Sequence, residues 1–364
     1  MTPQNDQPSD DRASDDQPVN DRLPDARRSG DRASDDRPVD DRPVDDRPVD
    51  DRPVDVLAVG DASVDYFVHV PHIAVADDKA IGRLAGVHGG GMSANLAAAA
   101  SFAGARAALA TAVGADDLGR QALDRLAAQG VDVSPSVRVP GGHTWFCVIQ
   151  LDPSGEKSLV GAVTEVKIPE VGQISDELLR TARLVAPLAD DLDWAIGLAG
   201  RARAGGAKVA VDLEPDAVAG RLDQVRELAR LSDLVFCNQR AADVLAGGDP
   251  ERCAALLLAA GAGAVVVTRG RDGALCFAPG QSWSARGPRV EVVDTTGAGD
   301  TLAGAFTGSW IRGRSLADSL RAGVAAASLC VGHLGSRAYL DAGTGIDSLM
   351  RNVTLDAAPP LQGF

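Results

Sequence analysis

Short apolar runs alternate with Ala-rich amphipathic segments along the chain from about residue 54 onward. Residues 54–60 and 264–268 are runs of small and β-branched apolar residues, which are typical of buried strands. Ala-rich patterns that end at a glycine, such as 117–130, predict helices. Further strands are predicted at 144–151, 184–187, 208–213, 233–238 and 274–278, and further helices at 93–104, 192–204, 221–231, 240–246, 250–261, 299–312 and 315–332. This alternation predicts an α/β fold with a mostly parallel central sheet flanked by helices.

Two stretches, residues 66–87 and 137–166, depart from that alternation because they combine β-forming residues with turns. The second contains Pro-Gly-Gly and Asp-Pro-Ser-Gly, which favour reversals of the chain. We expect antiparallel strands that leave the main sheet and form a small β-sheet lid. The predicted domain spans residues 54–345 and includes these lid segments, and residues 346–364 form a C-terminal extension.

Residues 1–53 differ in composition from the rest of the chain. From residue 35 to residue 54 the unit Asp-Asp-Arg-Pro-Val repeats four times at a period of five. The proline in each unit prevents a regular helix, and the charged residues leave no apolar face to bury. We therefore expect a disordered low-complexity tail, and we interpret it as a tolerated repeat expansion rather than as a docking segment.

The charge and the cysteines exclude several classes of protein. A net charge of −15, from 51 acidic and 36 basic residues, repels phosphate backbones and argues against binding to nucleic acid. The five cysteines are scattered without a Cys-x-x-Cys pair, as expected for reduced thiols in a cytoplasmic protein. The N-terminus is polar and no apolar run reaches 18 residues, so the sequence predicts neither a signal peptide nor a membrane span.

The segment Asp-Thr-Thr-Gly-Ala-Gly-Asp at 294–300 carries the strongest chemical signal. It follows a strand-like run at 290–293 and opens a predicted helix. Its Gly-Ala-Gly stretch allows a tight bend that directs successive backbone N–H groups outward, where the helix dipole adds positive potential. Such a nest can hold the oxygens of a phosphoryl group beside the carboxylate of Asp300. A glycine-rich turn with Asp300 as a helix cap is the simpler alternative for this segment alone.

Two motifs resemble the signatures of the ribokinase-like (PfkB) carbohydrate kinase family. The first begins Gly-Gly-Gly-Met-Ser-Ala-Asn at 89–95, and the second is the 294–300 segment. The resemblance extends from about residue 54 to about residue 340 and leaves out the tail. It implies a ribokinase-like fold and ATP-dependent phosphorylation of a hydroxyl group on a sugar or sugar derivative, with Mg²⁺ as a cofactor.

The resemblance also implies roles for individual residues. Asp300 would be the base that takes the hydroxyl proton, and Gly297, Ala298 and Gly299 would form the anion hole. The implied substrate-binding positions are Asp65, Gly90, Gly91 and Asn95, the nucleotide-binding positions are Asn238, Thr268, Gly270 and Gly273, and the K⁺-loop positions are Asp294 and Thr296. Independently of the family, Asp65, Asn238 and Thr268 lie at or just past the ends of predicted strands, and ligands bind at the carboxyl edge of such sheets.

Three of the departures from the family pattern bear on metal binding. Ala241 stands where the Glu of the family's Asn-x-x-Glu motif helps to organise Mg²⁺ and phosphate. His333 and Tyr339 lie where contacts to the K⁺ loop are expected. K⁺ dependence is therefore left open.

Two alternatives stand beside a sugar kinase. One is a nucleoside kinase of the same fold, for which Phe67, Trp145 and Phe146 offer aromatic rings in the lid. The other is a non-catalytic sugar- or nucleotide-binding protein, which the loss of the family Glu motivates. The expected partners are a small-molecule substrate and, through an apolar face of the lid, a second copy of the chain.

Overall fold

The computed structural model describes residues 52–154 and 156–361. The predicted tail at 1–53 therefore lies almost entirely outside the described residues. The strands are β1 (Val54–Gly60), β2 (Ser63–His69), β3 (Arg83–Gly90), β4 (Ala107–Gly114), β5 (Val137–Val139), β6 (Phe146–Leu151), β7 (Lys157–Ala162), β8 (Ala182–Pro187), β9 (Lys208–Leu213), β10 (Leu234–Asn238), β11 (Ala264–Thr268), β12 (Ala274–Ala278), β13 (Gln281–Arg286) and β14 (Thr354–Ala358). The helices are α1 (Met92–Phe102), α2 (Asp117–Ala128), α3 (Asp176–Thr181), α4 (Leu192–Ala204), α5 (Pro215–Val218), α6 (Leu222–Leu231), α7 (Gln239–Ala246), α8 (Pro250–Ala260), α9 (Ala298–Ile311), α10 (Leu316–Cys330) and α11 (Ile346–Met350).

The large sheet has the strand order β14-β13-β12-β11-β10-β9-β8-β1-β4-β5. Neighbouring strands from β11 to β5 run parallel, and the antiparallel strands β12 to β14 extend the sheet at one edge. Apolar clusters cover both faces, one formed with α4, α6, α7 and α8 and the other with α9 and α10. Because both faces are covered, the central strands are apolar along almost their whole length. The predicted mostly parallel α/β architecture is confirmed. Across the described ranges, no helix is both long enough and apolar enough to span a membrane.

A separate four-stranded sheet, which we call the lid, has the order β3-β2-β6-β7. The β2–β3 and β6–β7 pairs are antiparallel, as predicted, whereas β2 and β6 run parallel. The parallel pair arises because the chain passes through α1, β4, α2 and β5 of the main body between these two strands. Strand β5, which we predicted within the lid, pairs instead with β4 at the edge of the large sheet.

Residues 290–293 do not form the predicted strand. The backbone N–H groups of Val293 and Asp294 donate to the carbonyl of Val331, at 2.8 and 3.2 Å, just after the end of α10. Val292 and Val293 are 59% and 53% exposed. The β-branched residues suggested a strand, but this run reaches α9 as an extended connection that is bound to the end of a helix.

Helices α1 and α9 pack closely because glycines line their contact. A Cβ at Gly304 would clash with the carbonyl oxygen of Leu96, and one at Gly308 would lie 2.8 Å from that of Ala100. Glycine alone allows two backbones to approach so closely. The packing places the start of α9 beside the first turns of α1, so the two signature motifs meet in space.

Candidate active site

Asp300 lies in the first turn of α9, where Gly297 is the N-cap residue. The side-chain Nδ2 of Asn95, in α1, donates a 2.8 Å hydrogen bond to Asp300 Oδ2. Burial raises the pKa of Asp300 to about 8 against the opposing effect of the Asn95 hydrogen bond, and the nearby carboxylates of Asp212 and Asp61 add to the rise. A carboxylate with a pKa near the working pH is suited to accept a proton.

The loop before α9 has the backbone of an anion-binding turn. Gly297 has a φ of 75°, which favours glycine, and a Cβ there would clash with the side chain of Ser336. Ala298 begins the helix, and among the described residues no atom outside the chain neighbours and the helix backbone lies within 4 Å of the position that a Cβ on Gly299 would take. The N–H of Ala298 donates a long 3.3 Å hydrogen bond to the carbonyl oxygen of Thr295. Because the first N–H groups of a helix lack partners within it, the amides of this loop can bind an anion beside Asp300.

The predicted substrate residues Asp65 and Gly90 lie against each other. Asp65 is 5% exposed, and Ser63 Oγ donates to its Oδ1 at 3.1 Å. A Cβ at Gly90 would clash with the Asp65 carboxylate, so glycine is needed there. Gly91 caps α1 with a φ of 95°. Burial raises the pKa of Asp65 to about 6, although the Ser63 hydrogen bond opposes the rise.

Ser336 links the two signature motifs from behind. Its Oγ lies 3.0 Å from both the carbonyl oxygen of Gly89 and Oδ1 of Asn95. Since the Asn95 amide faces Ser336 with its oxygen, its nitrogen is directed at Asp300. The network fixes the orientation of the amide and, through it, the orientation of the carboxylate.

The predicted nucleotide residues lie at the carboxyl ends of two neighbouring strands. Asn238 ends β10 and Thr268 ends β11, and the two residues are register partners. Asn238 Oδ1 accepts the backbone N–H of Ala241 at 2.9 Å, so this residue also caps α7. Gly270 and Gly273, with φ values of 54° and 81°, flank the tight turn between β11 and β12.

Three acidic residues near the site were missed in the sequence. Asp61 directly follows β1 and accepts the backbone N–H of Ser93 at 2.9 Å. Asp212 lies in β9, where burial and the charge of Glu214 raise its pKa to about 7. Glu214 Oε2 accepts a 3.3 Å hydrogen bond from Asn238 Nδ2, and burial raises its pKa despite that bond. Asp61 and Glu214 could have been found by the rule that selected Asn238, because each follows a strand.

Arg337 is a buried cation beside the predicted substrate residues. It is 4% exposed, and its guanidinium fills the space that a side chain at Gly89 would need. Its Nη1 and Nη2 atoms are buried without a hydrogen-bond partner among the residues that the structure describes. Burial lowers the pKa of Arg337 to about 10, and the nearby charge of Asp65 acts in the opposite direction. No signal in the sequence indicated this residue.

The predicted K⁺-loop residues Asp294 and Thr296 contact a lysine from the lid. Lys157 Nζ lies 3.3 Å from Asp294 Oδ1 and 3.0 Å from Thr296 Oγ1. His333 Nδ1 lies 2.9 Å from the carbonyl oxygen of Leu329. Tyr339, also expected near this loop, is buried and packs edge-to-face on Phe102.

The structure brings the predicted residues together in two groups. Contacts join Asp65 with Gly90, and Asn95 with Asp300 and, through Ser336, with Gly297. The second group, Asn238, Thr268, Gly270 and Gly273, lies along the same carboxyl edge of the large sheet. Glu214 interacts with both groups. It accepts a hydrogen bond from Asn238, and its negative charge helps to raise the pKa of Asp300. Over residues 52–154 and 156–361, no three His, Cys, Asp or Glu side chains are grouped so that they could hold a metal ion by themselves.

Comparisons with known proteins identify the family and the fold of this chain. The family model described as pfkB family carbohydrate kinase matches residues 54–342. A ribokinase of Haemophilus influenzae is 27% identical over 291 residues, which cover 78% of this chain and 94% of that protein. An ATP-dependent ribose-1-phosphate kinase of Halopiger xanaduensis is 31% identical, over 78% of this chain and 93% of that protein. The structure of Arabidopsis thaliana ribokinase complexed with ribose and ATP superposes with a TM-score of 0.69 at 24% identity, over 82% of this chain and 98% of that one. The predicted ribokinase-like fold is confirmed.

Proposed function

The chain belongs to the pfkB family of carbohydrate kinases, and on that basis we propose that it transfers the γ-phosphoryl group of ATP to a hydroxyl group of a sugar or sugar derivative, with Asp300 as the base. The observation that carries the proposal is the 2.8 Å hydrogen bond from Asn95 to Asp300. It joins residues 205 positions apart in the sequence, one from each signature motif, around a single carboxylate. A fold-preserving glycine turn would not need that link.

The proposed reaction is an in-line displacement at phosphorus. Asp300 accepts the proton of the substrate hydroxyl while the oxygen of that hydroxyl forms a bond to the γ-phosphorus of ATP. The bond from that phosphorus to the bridging oxygen breaks, and ADP leaves. Backbone N–H groups at Gly297, Ala298 and Gly299 hold the nonbridging oxygens, and in enzymes generally one such donor contributes roughly 3 kcal/mol to lowering the barrier.

The substrate is held at the junction of the lid and the main body. Asp65 is positioned to accept hydrogen bonds from sugar hydroxyls, while the absence of side chains at Gly90 and Gly91 lets a sugar approach the backbone. Arg337 adds positive charge next to this group. These contacts orient the reacting hydroxyl toward Asp300, which is the main protein contribution to phosphoryl transfer.

The nucleotide is assigned to the edge formed by Asn238, Thr268, Gly270 and Gly273. Mg²⁺ fits this edge because Glu214 supplies a carboxylate next to Asn238, and hard cations prefer carboxylate oxygens. Glu214 thereby compensates for the alanine at position 241. When bound, Mg²⁺ neutralises charge on the phosphates of ATP.

The contact of Lys157 with the predicted K⁺ loop supports a proposal without K⁺ as a cofactor. An ammonium group already lies against Asp294 and Thr296, the two residues predicted to hold that ion. We therefore assign the loop to a lysine side chain rather than to K⁺.

A nucleoside kinase remains the second candidate because of one ring in the lid. Trp145 packs against the core of the lid and Lys167 Nζ lies 5.6 Å from the centre of its ring, but the residue is only partly buried, and its exposed part could contact a base. Phe67, in contrast, is fully buried in the core of the lid. A non-catalytic sugar- or nucleotide-binding protein is less favoured because Asp300 and the glycine-rich loop at 297–299 are both present.

We also propose that the lid forms a homodimer contact and that the protein is cytoplasmic. Leu84, Leu159 and Val160 on the lid are each more than half exposed, and exposed apolar side chains favour association. All five cysteines are buried and free, which agrees with a reducing compartment.

The test of the proposed function is ADP release from ATP and Mg²⁺ with a panel of sugars, sugar phosphates and nucleosides. We expect release that depends on a member of the sugar classes and is abolished by Asp300→Asn. Asp318→Asn is the matched control, because Asp318 lies in the first turn of α10 instead of α9. Release that depends only on a nucleoside would favour the second candidate, and release unaffected by Asp300→Asn would refute the assignment of the base.

A further inference from the structure

The ammonium group of Lys157 occupies a cradle of oxygens immediately before the anion-hole loop. We propose that Lys157 is a tethered cation, which takes the place of a monovalent metal ion at this loop and joins the lid to it. The measurement of turnover rests on the proposed function, whereas the measurement of cation binding by melting temperature does not.

The cradle matches an ammonium group in number and kind. Lys157 Nζ lies 3.3 Å from Asp294 Oδ1, 3.3 Å from Thr295 Oγ1 and 3.0 Å from Thr296 Oγ1. An ammonium group has three donors and no acceptor, so three oxygens satisfy it completely. Thr296 Oγ1 donates its own hydrogen to Asp294 Oδ1 at 2.7 Å, which leaves its lone pairs free to accept from the lysine.

The cradle is held in place by the surrounding chain. The side chain of Asp294 is 2% exposed, and its Oδ2 accepts the backbone N–H of Gly335 at 3.1 Å. Its Oδ1 also accepts the backbone N–H of Thr296 at 3.0 Å. Although burial favours the neutral acid, hydrogen bonds from Thr296 and the charge of Lys157 hold the pKa of Asp294 below its ordinary value. A buried ionised carboxylate is costly without compensating partners, and Lys157 supplies the positive charge in addition to the hydrogen bonds from Thr296 and Gly335.

Attachment to the lid distinguishes the lysine from a diffusible ion. Lys157 is the first residue of β7, and its partners immediately precede Gly297, the residue that shapes the anion hole. The contact therefore closes the lid against the catalytic loop and orients the loop in one step. Lys157 is a positioning residue in this scheme, since it acts through Asp294 and Thr296.

The experiment replaces the tethered cation with a free one. Lys157→Ala opens the cradle, and Lys208→Gln is the matched control, because Lys208 pairs with Asp233 at 3.5 Å at the start of β9. ADP release and melting temperature are measured at constant ionic strength in choline, sodium, potassium or ammonium chloride. For the wild type and for the control, we expect the same rate of ADP release and the same melting temperature in all four salts.

For Lys157→Ala we expect a loss of at least about tenfold in kcat/KM for ATP in choline chloride, with most of it restored by potassium or ammonium. Its melting temperature is expected to rise with potassium concentration, as it does when a ligand binds the folded state only. Lys157→Gln, which fills the cradle without charge, should lose activity and recover little.

Three results would overturn the inference: a wild type that needs potassium, a Lys157→Ala variant with full activity in choline, or a loss that no cation restores and no cation stabilises against heat. If any of these occurred while Asp300→Asn still abolished turnover, the proposed function would stand and only the tethered cation would fall.

Discussion

Replacing Asp300 with Asn separates catalysis from stability. The asparagine is nearly isosteric, and its Oδ1 can still accept the hydrogen bond that Asn95 donates at 2.8 Å. It cannot accept a proton from the substrate. Since general base catalysis contributes about 10²- to 10⁴-fold, we expect kcat to fall by that factor with little change in substrate affinity.

The Asp300→Asn variant is expected to be more stable than the wild type at neutral pH, although it is less active. The folded-state pKa of Asp300 is about 8, against 3.8 for the free side chain. Between these values the folded state holds a proton that the unfolded state releases, so the contribution of Asp300 to stability is complete below pH 3.8 and is lost as the pH rises to about 8. The asparagine carries no such loss, and its advantage over wild type grows by up to about 1.4 kcal/mol per pH unit in this window. At pH 7 this difference amounts to about 4 kcal/mol, which is an upper bound because Asp300 is only partly buried and solvent screens its charge.

The assay combines urea unfolding with ADP release at several pH values between 5 and 8. Wild-type kcat/KM is expected to rise about tenfold per pH unit well below pH 8 and then to level off, since only the ionised carboxylate is a base. Asp294→Asn gives the opposite stability result, because the pKa of Asp294 is lowered in the folded state and its contribution is present at neutral pH and lost in acid. If Asp300→Asn lost activity and stability together, the residue would be structural and our reasoning would be refuted.

Four further changes test other parts of the structure. Gly297→Ala forces a side chain into a φ of 75° and against Ser336, so we expect a loss of about 1–3 kcal/mol in unfolding free energy and a fall in kcat; unchanged kcat would contradict the anion hole. Glu214→Gln is expected to raise the Mg²⁺ concentration for half-maximal ADP release about tenfold, and an unaltered Mg²⁺ titration would remove this residue from the metal site. Leu159→Asp combined with Val160→Asp should convert a dimer to a monomer in light scattering, and a wild type that is already monomeric would exclude the lid contact. Deletion of residues 1–51, which keeps Arg52 and its 2.8 Å hydrogen bond to the carbonyl oxygen of Ala182, should leave turnover and melting temperature nearly unchanged, and a large drop in either would show that the tail docks.

Strands and helices bounded by turn residues could be predicted well from the sequence. The predicted strands at 208–213 and 264–268 coincide with β9 and β11, because runs of buried valine end at Gly or at polar residues. The pattern indicated no strand at Ala107–Gly114, where alanines dominate and the parallel pairing of β4 with β1 decides the conformation. The predicted strand at 290–293 was wrong for the converse reason, since local propensity had no neighbouring strand there.

Some residues of the candidate site could be predicted from the sequence and others could not. Asp300 and Asn95 stand in long motifs, so their sequence context was enough to predict them as site residues. Lys157 and Arg337 could not be predicted, because their significance depends on contacts with residues more than a hundred positions away, at Asp294 and Gly89. Glu214 lies between these cases, because the end of β9 marks it but only its bond to Asn238 shows its partner.

The interleaved strand order of the lid has a consequence during synthesis. The β2–β3 hairpin leaves the ribosome before β6 does. Until β6, which begins at Phe146, has been translated, the edge of β2 that pairs with β6 has no partner strand. A nascent chain that paused in this interval would present an unpaired strand to its neighbours. For the same reason neither half of the lid can be transplanted alone into another protein, since each hairpin supplies the missing neighbour of the other.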